Sequence, residues 1–153
     1  KRSVNIDMAT VHFCSDDLLD HLEKIVLLSD YIKAKRVEFK EFNSRFPDVD
    51  ESIANGIRLT NLGIFREYLD RYINQHPGIQ HEMTTIVRQL QPTEKGIPVE
   101  IYGFTSDKDW EAYENVQSDI FDHVLAVVPE FQLRVFQNPT GADFKKLANP
   151  DAN

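Results

Sequence analysis

Cysteine is nearly missing from this chain: Cys14 stands alone among 153 residues. An internal disulfide is thereby excluded, and the usage suits a reducing compartment. Glycine is sparse as well. Its six residues are scattered, and Gly63 in "TNLGIF" has no glycine partners, so a glycine-rich phosphate loop is absent. No apolar run approaches the length that spans a bilayer, and no signal-peptide pattern is present. Positive charge is thin: seventeen Lys and Arg face twenty-five Asp and Glu, for a formal net charge of -8. The richest basic run, "KAKR" at 33–36, sits inside a helical pattern rather than in a cationic patch. Nucleic acid, which requires a concentrated positive footprint, is not an expected partner.

What remains describes a folded domain. The chain is 41% hydrophobic and 10% aromatic, long enough for one real core and too short for two full domains. It opens on Lys1-Arg2-Ser3 without an initiator methionine, which reads as a piece of something longer. "SVNIDM" alternates Val4 and Ile6 with polar neighbours and predicts a strand that "TVHF" extends or bends. Ser15, followed by Asp16 and Asp17, has the form of a helix start, and apolar residues at helical spacing from Leu18 predict one long helix to about Phe42. Residues 43–61 form a polar connection or insertion with Pro47, Gly56 and no steady period. A second helix is predicted over 62–75, led by Thr60 or Asn61 and stopped by His76-Pro77-Gly78.

"TTIVRQL" and "VEIYGF", separated by "QPTEKGIP", predict an antiparallel hairpin with its tip at Glu94-Lys95-Gly96 and Pro98 at the start of its second strand. A third helix is expected from about Asp107 to Val128, capped by Thr105 or Ser106, with Trp110, Tyr113, Val116, Ile120, Val124 and Val127 on one stripe. Pro129 ends it, and "FQLRVF" alternates Phe131, Leu133 and Val135 in a final strand. Arg134 points the other way, leaving the second sheet face partly polar or open to another chain. Residues 138–153 form a loosely held tail with a turn near Phe144. The fold class is α+β: a ferredoxin-like split β-α-β-β-α-β arrangement over 1–137, with an inserted helix and helices covering one sheet face. Many unrelated functions share that topology.

Three side-chain groups invite chemistry. Asp119, Asp122 and His123 include three metal-capable groups, but Asp119 lies off the apolar stripe, Asp122 nearly opposite its centre and His123 at its edge. They do not converge as a transition metal needs, and they read as the wet side of a helix. His12, Cys14, Asp16, Asp17 and His21 lack any zinc spacing; the acids serve the first helical turn, and Cys14 packs as a small hydrophobe. Gly103 and Ser106 flank "FT" without the nucleophile-elbow pattern. His76 and His81 bracket the turn "PGIQ" and are expected to face solvent, while Arg88 is either functional or, as favoured here, lines a polar sheet face. Tyr68, Tyr72, Trp110 and Tyr113 are core or interface aromatics. No catalytic, cofactor-binding or metal residue is assigned, and the chain is not read as an enzyme. A ligand-sensing regulatory domain binding a small molecule or ion is the alternative class.

"TNLGIFREYLDRYINQHPGI", "MTTIVRQLQPTEKGIPVEIYGFT" and above all "WEAYENVQSDIFDHVLAVVPEFQLRVFQNPTG" resemble the C-terminal cytoplasmic domain of small-conductance mechanosensitive channels, closest to the miniconductance branch. The similarity runs from about Lys1 to Gly141. "KRSVNIDM" looks like the entry from that family's middle β domain into its C-terminal α/β domain. The resemblance implies a bacterial inner-membrane channel with transmembrane helices upstream, opened by membrane tension under osmotic stress to pass ions and small solutes. Its cytoplasmic domains would assemble in a ring, likened to the family's heptamer, around a vestibule with side portals. Membrane contact would come only through the upstream helices. An acidic wall would enrich cations there, less so in salt.

Overall fold

The computed structural model describes residues 1–106 and 108–149. It is a mixed helix-and-strand fold with a small antiparallel sheet. In chain order the elements are β1 (Arg2–Ile6), α1 (Asp16–Leu22), α2 (Ser29–Asn43), α3 (Asn61–Gln75), β2 (Ile86–Gln89), β3 (Ile97–Tyr102), α4 (Trp110–Val127) and α5 (Gly141–Ala148). The sheet order is β1-β3-β2, with β3 antiparallel to both neighbours. Val4 faces Val99 across one ladder, and Arg88 faces Glu100 across the other.

Strand alternation sorts the two faces. Val4, Ile6, Ile97, Val99 and Ile101 point inward and join one continuous apolar core with Phe65, Leu69 and Ile73 of α3 and Ile120, Phe121 and Val124 of α4. Pro98 lies in the central strand, yet its missing N–H costs little. Its carbonyl accepts from the Leu90 amide at 2.9 Å, just past the end of β2, so the gap falls at the frayed end of that ladder. Gly96 at the hairpin tip has φ +89, and a Cβ there would strike the Ile6 carbonyl oxygen, so only glycine suits the position.

The single long helix expected over 15–42 is two helices. The Ser15 hydroxyl accepts from the Leu18 amide, as expected of a cap, but α1 ends at Leu22 and tight turns carry the chain to Leu28. Leu22 and Leu28 are both fully buried. Six residues apart on one helix they would point about 120° away from each other, so the break allows both to enter the core. After it α2 runs back along α1, and Arg36 reaches Asp20 and Glu23 at 2.7 and 3.0 Å and Asp16 at 3.5 Å. On an unbroken helix, Asp16 and Arg36 would stand about 30 Å apart.

"TVHF" does not prolong β1. Met8–Thr10 turns as a 3-10 helix and Phe13 makes a lone bridge to Thr60. The connection 43–61 is compact rather than extended. The Asn43 side chain bonds both backbone groups of Ile57, at 2.9 and 2.8 Å, and Asn55 and Arg58 reach the carbonyls of Asp48 and Val49. Thr60 caps α3 by accepting from the Gly63 amide, and His76 is its C-cap. The third predicted helix begins at Trp110 with Asp109 as its N-cap residue, later than expected; Thr105 instead bridges Ile79, and Asp107 lies outside the described residues.

The expected final strand shrinks to one bridge, between Val135 and Ile6, flanked by Asp7 amide to Arg134 carbonyl and Phe136 amide to Asn5 carbonyl bonds of 2.8 and 2.9 Å. Val128–Phe131 coils as a 3-10 turn with Pro129 at its start, and Gln132 adopts φ 55, which breaks any extended run. Phe131 is thereby driven into the core against Phe65 and Tyr68. The tail also departs from expectation. Thr140 and Asp143 form a capping box that starts α5, although none of its residues is buried; Pro150 lies outside the described residues.

Candidate functional site

The sequence-flagged groups are dispersed. Among the described residues, no three His, Cys, Asp or Glu side chains are placed to hold a metal ion. His12 turns its Nδ1 to the Phe13 carbonyl, Asp16 is drawn to Arg36, and His21 pairs with Glu130 at 2.7 Å. Cys14 is half-buried, and that burial pushes its thiol up to about 11, which leaves it a weak nucleophile at neutral pH.

Asp119 and Asp122 are exposed as expected, but His123 is not on the wet side. Its Nε2 lies 2.6 Å from the Tyr68 hydroxyl, and its ring stacks on Tyr72 with centroids 4.0 Å apart and planes 3° from parallel. His76, expected in solvent, packs edge-on against Tyr72 and accepts from the Gly78 amide. This seam joins α3 to α4. Burial, then the neighbouring His76, hold His123 below its ordinary pKa, so the neutral ring is the form the seam favours.

The sheet's outer face carries Ser3, Asn5, Pro98, Tyr102, Ile86 and Arg88, each exposed or half-buried. Glu100 lies among them with only 4% of its side chain exposed. Arg88, its cross-strand partner, places Nη2 2.8 Å and Nε 2.9 Å from one carboxylate oxygen, and Lys1 stands 3.5 Å from the other. Burial pushes the Glu100 carboxyl up, but the Arg88 hydrogen bond and charge, with those of Lys1, outweigh it and hold it below the usual range. Arg88 lines this polar face as the sequence predicts. The buried acid beneath it went unrecognised, although its signal was visible in "PVEIY": an acid alternating with Val99 and Ile101, opposite an arginine.

Where β3 runs out beside the start of α4, a hollow of about 620 Å³ opens. Met83, Tyr102, Phe104 and Trp110 supply its apolar wall, and Lys1 and Lys108 its charge. Tyr102 and Phe104 meet edge to face at 5.3 Å. Trp110, assigned by spacing to the buried stripe, is 75% exposed at the first turn of α4. The stripe enters the core only farther along, at Ile120, Phe121 and Val124. Exposed tryptophan, further aromatics and a methionine are residue types enriched at protein interfaces, whereas lysine is depleted there.

Compared with known proteins, the chain matches no family model, and no solved structure matches it. Among the described residues no helix is long and apolar enough to cross a membrane.

Proposed function

We propose that this chain is a cytoplasmic vestibule domain of a tension-gated channel of the small-conductance mechanosensitive type, in the bacterial inner membrane. It would support assembly of a ring, a heptamer by the family's pattern, and filter ions and small solutes. The reading rests on the sequence resemblance, and one structural observation favours it: the sheet is packed on one side and open on the other. Its open face has its buried acid neutralised by Arg88 and Lys1. A wall domain facing a water-filled compartment or a neighbouring copy requires such a face, whereas catalysis requires convergent reactive groups.

The finer fold belongs to the same proposal. β1 and β2 both run antiparallel to β3, and the Val135 bridge lies antiparallel to β1. Taking that bridge as the remnant of a fourth strand gives the order 4-1-3-2 of the split β-α-β-β-α-β fold, with α1 and α2 as a helical hairpin and α3 as the added helix. The experiment is to isolate the full-length gene product from its native host and establish its architecture and cellular fraction. Upstream membrane helices joined to a β domain, in the membrane fraction, are the expected outcome. A soluble product with an upstream enzyme domain would overturn the proposal.

A further inference from the structure

We infer that neighbouring copies of this chain join head to tail, the acidic loop 46–53 of one copy seating in the lysine-flanked aromatic hollow beside Trp110 of the next. The inference rests on the assembly reading above and names the two surfaces that would meet. The loop "FPDVDESI" carries Asp48, Asp50 and Glu51 and no Lys or Arg, and exposes Phe46 and Ile53. Asp50 has 97% of its side chain in solvent, and Arg58 approaches it only at 3.9 Å. The bonds from Asn55 and Arg58 to the Asp48 and Val49 carbonyls already hold the loop's backbone, which limits the ordering cost of docking.

The hollow is its complement. Its wall is aromatic, its charged residues are Lys108 and Lys1, the latter shared with Glu100 at 3.5 Å, and no Asp or Glu lines it among the described residues, in a chain whose acids exceed its bases. A twofold contact through the hollow alone would set lysine against lysine, and one through the loop alone would set acid against acid. Pairing the two unlike surfaces avoids both repulsions. Contacts of that heterologous kind propagate from copy to copy and close into rings when the rotation permits. Neither surface is used by the core, and Trp110 is the type of residue that anchors such contacts.

Trp110 is the chain's single tryptophan, so its emission reports on the hollow directly. Emission wavelength, acrylamide quenching and sedimentation are measured together across a concentration series of this chain. Weak association is expected, with a blue shift and quencher protection that rise in step with mass. Lys108→Glu alone, or Asp50→Lys with Glu51→Lys, should weaken association roughly tenfold, and combining them should restore much of it. Circular dichroism checks that each variant keeps the fold. Association that leaves Trp110 as accessible as in dilute solution overturns this pair of surfaces while the ring reading stands. Charge reversals without effect, or a blue shift at every concentration from an occupant within the same copy, also overturn it. A chain monomeric throughout overturns this pair of surfaces, and taken with a monomeric full-length product it overturns the ring reading as well.

Discussion

Asn61, the first residue of α3, donates from its side-chain amide to the carbonyl of Phe131, seventy residues later, at 3.0 Å. The same amide reaches the Thr10 carbonyl at 2.9 Å, and its oxygen accepts from the amides of His12 and Leu62 at 3.0 and 2.9 Å. The residue is fully buried. One side chain therefore ties the exit of β1, the start of α3 and the turn after α4. Asn61→Leu should lower unfolding free energy by about 2–4 kcal/mol in urea titration, since it strands buried backbone groups without partners.

Gly56 has φ +71, and a Cβ there would strike the Asn43 side chain that holds Ile57. Gly56→Ala should cost about 1–3 kcal/mol through backbone strain and the lost Asn43 brace. Amide exchange would show the opening confined to 43–58. The same variant should weaken association, because the added Cβ also strikes Val49 within the acidic loop.

The α3–α4 seam should loosen in mild acid. His123 is held below its ordinary value by burial and then by His76, so the unfolded chain binds a proton more readily than the folded one. Its contribution to stability is complete above the unfolded pKa, about 6.5, and declines as pH falls below it. Around the ring stand Tyr68 and Tyr72 from α3, His76 at its C-cap, Asp119 of α4 whose charge acts on Tyr72, and the uncharged Phe131 that packs on Tyr68. His123→Gln should flatten the stability profile below about pH 6.5, whatever it does to stability at pH 8.

A second acid limb lies lower. The Arg134 hydrogen bond, then the Ala9 amide, hold the Asp7 carboxyl below its usual range. Arg134 reaches Asp7 at 2.6 Å beside the Val135 bridge, so the pair clips the last extended segment to β1. Because the folded pKa is depressed, the clip's stabilisation is present above about pH 4 and is lost as pH falls further. Asp7→Asn should remove that limb and raise amide exchange at 134–136, by less than about 1 kcal/mol for so exposed a pair.

Periodicity served well where one face of one element meets the core. Val4 and Ile6 in β1, the α3 stripe and the β2–β3 hairpin all follow it. It failed where the chain reverses within a continuing pattern. The helical spacing of Leu18 through Phe39 hid the break before Ser29, where the N-cap residue is Leu28 and no side chain caps the new helix. Phe131, Leu133 and Val135 alternate as a strand should, yet left-handed Gln132 and the pull of Phe131 toward Phe65 override the alternation. His123 looked peripheral because the stripe count excluded aromatic stacking from α3. Spacing left Trp110 as either a core or an interface aromatic, and its exposure follows from α4 beginning beyond the edge of the core. The candidate surface was thus only half legible: its aromatic residues were visible, but their gathering with Lys1 and Lys108 depends on tertiary placement.

Suction applied to patches of membrane holding the full-length gene product tests the central claim most directly. The expected result is stepwise ionic current that switches on with tension and is absent from patches lacking the protein. In asymmetric salt its reversal potential should shift when vestibule-facing acids are neutralised, more so at low ionic strength. A protein that reaches the membrane and folds, yet passes no current at any tension the patch survives, would contradict the vestibule function.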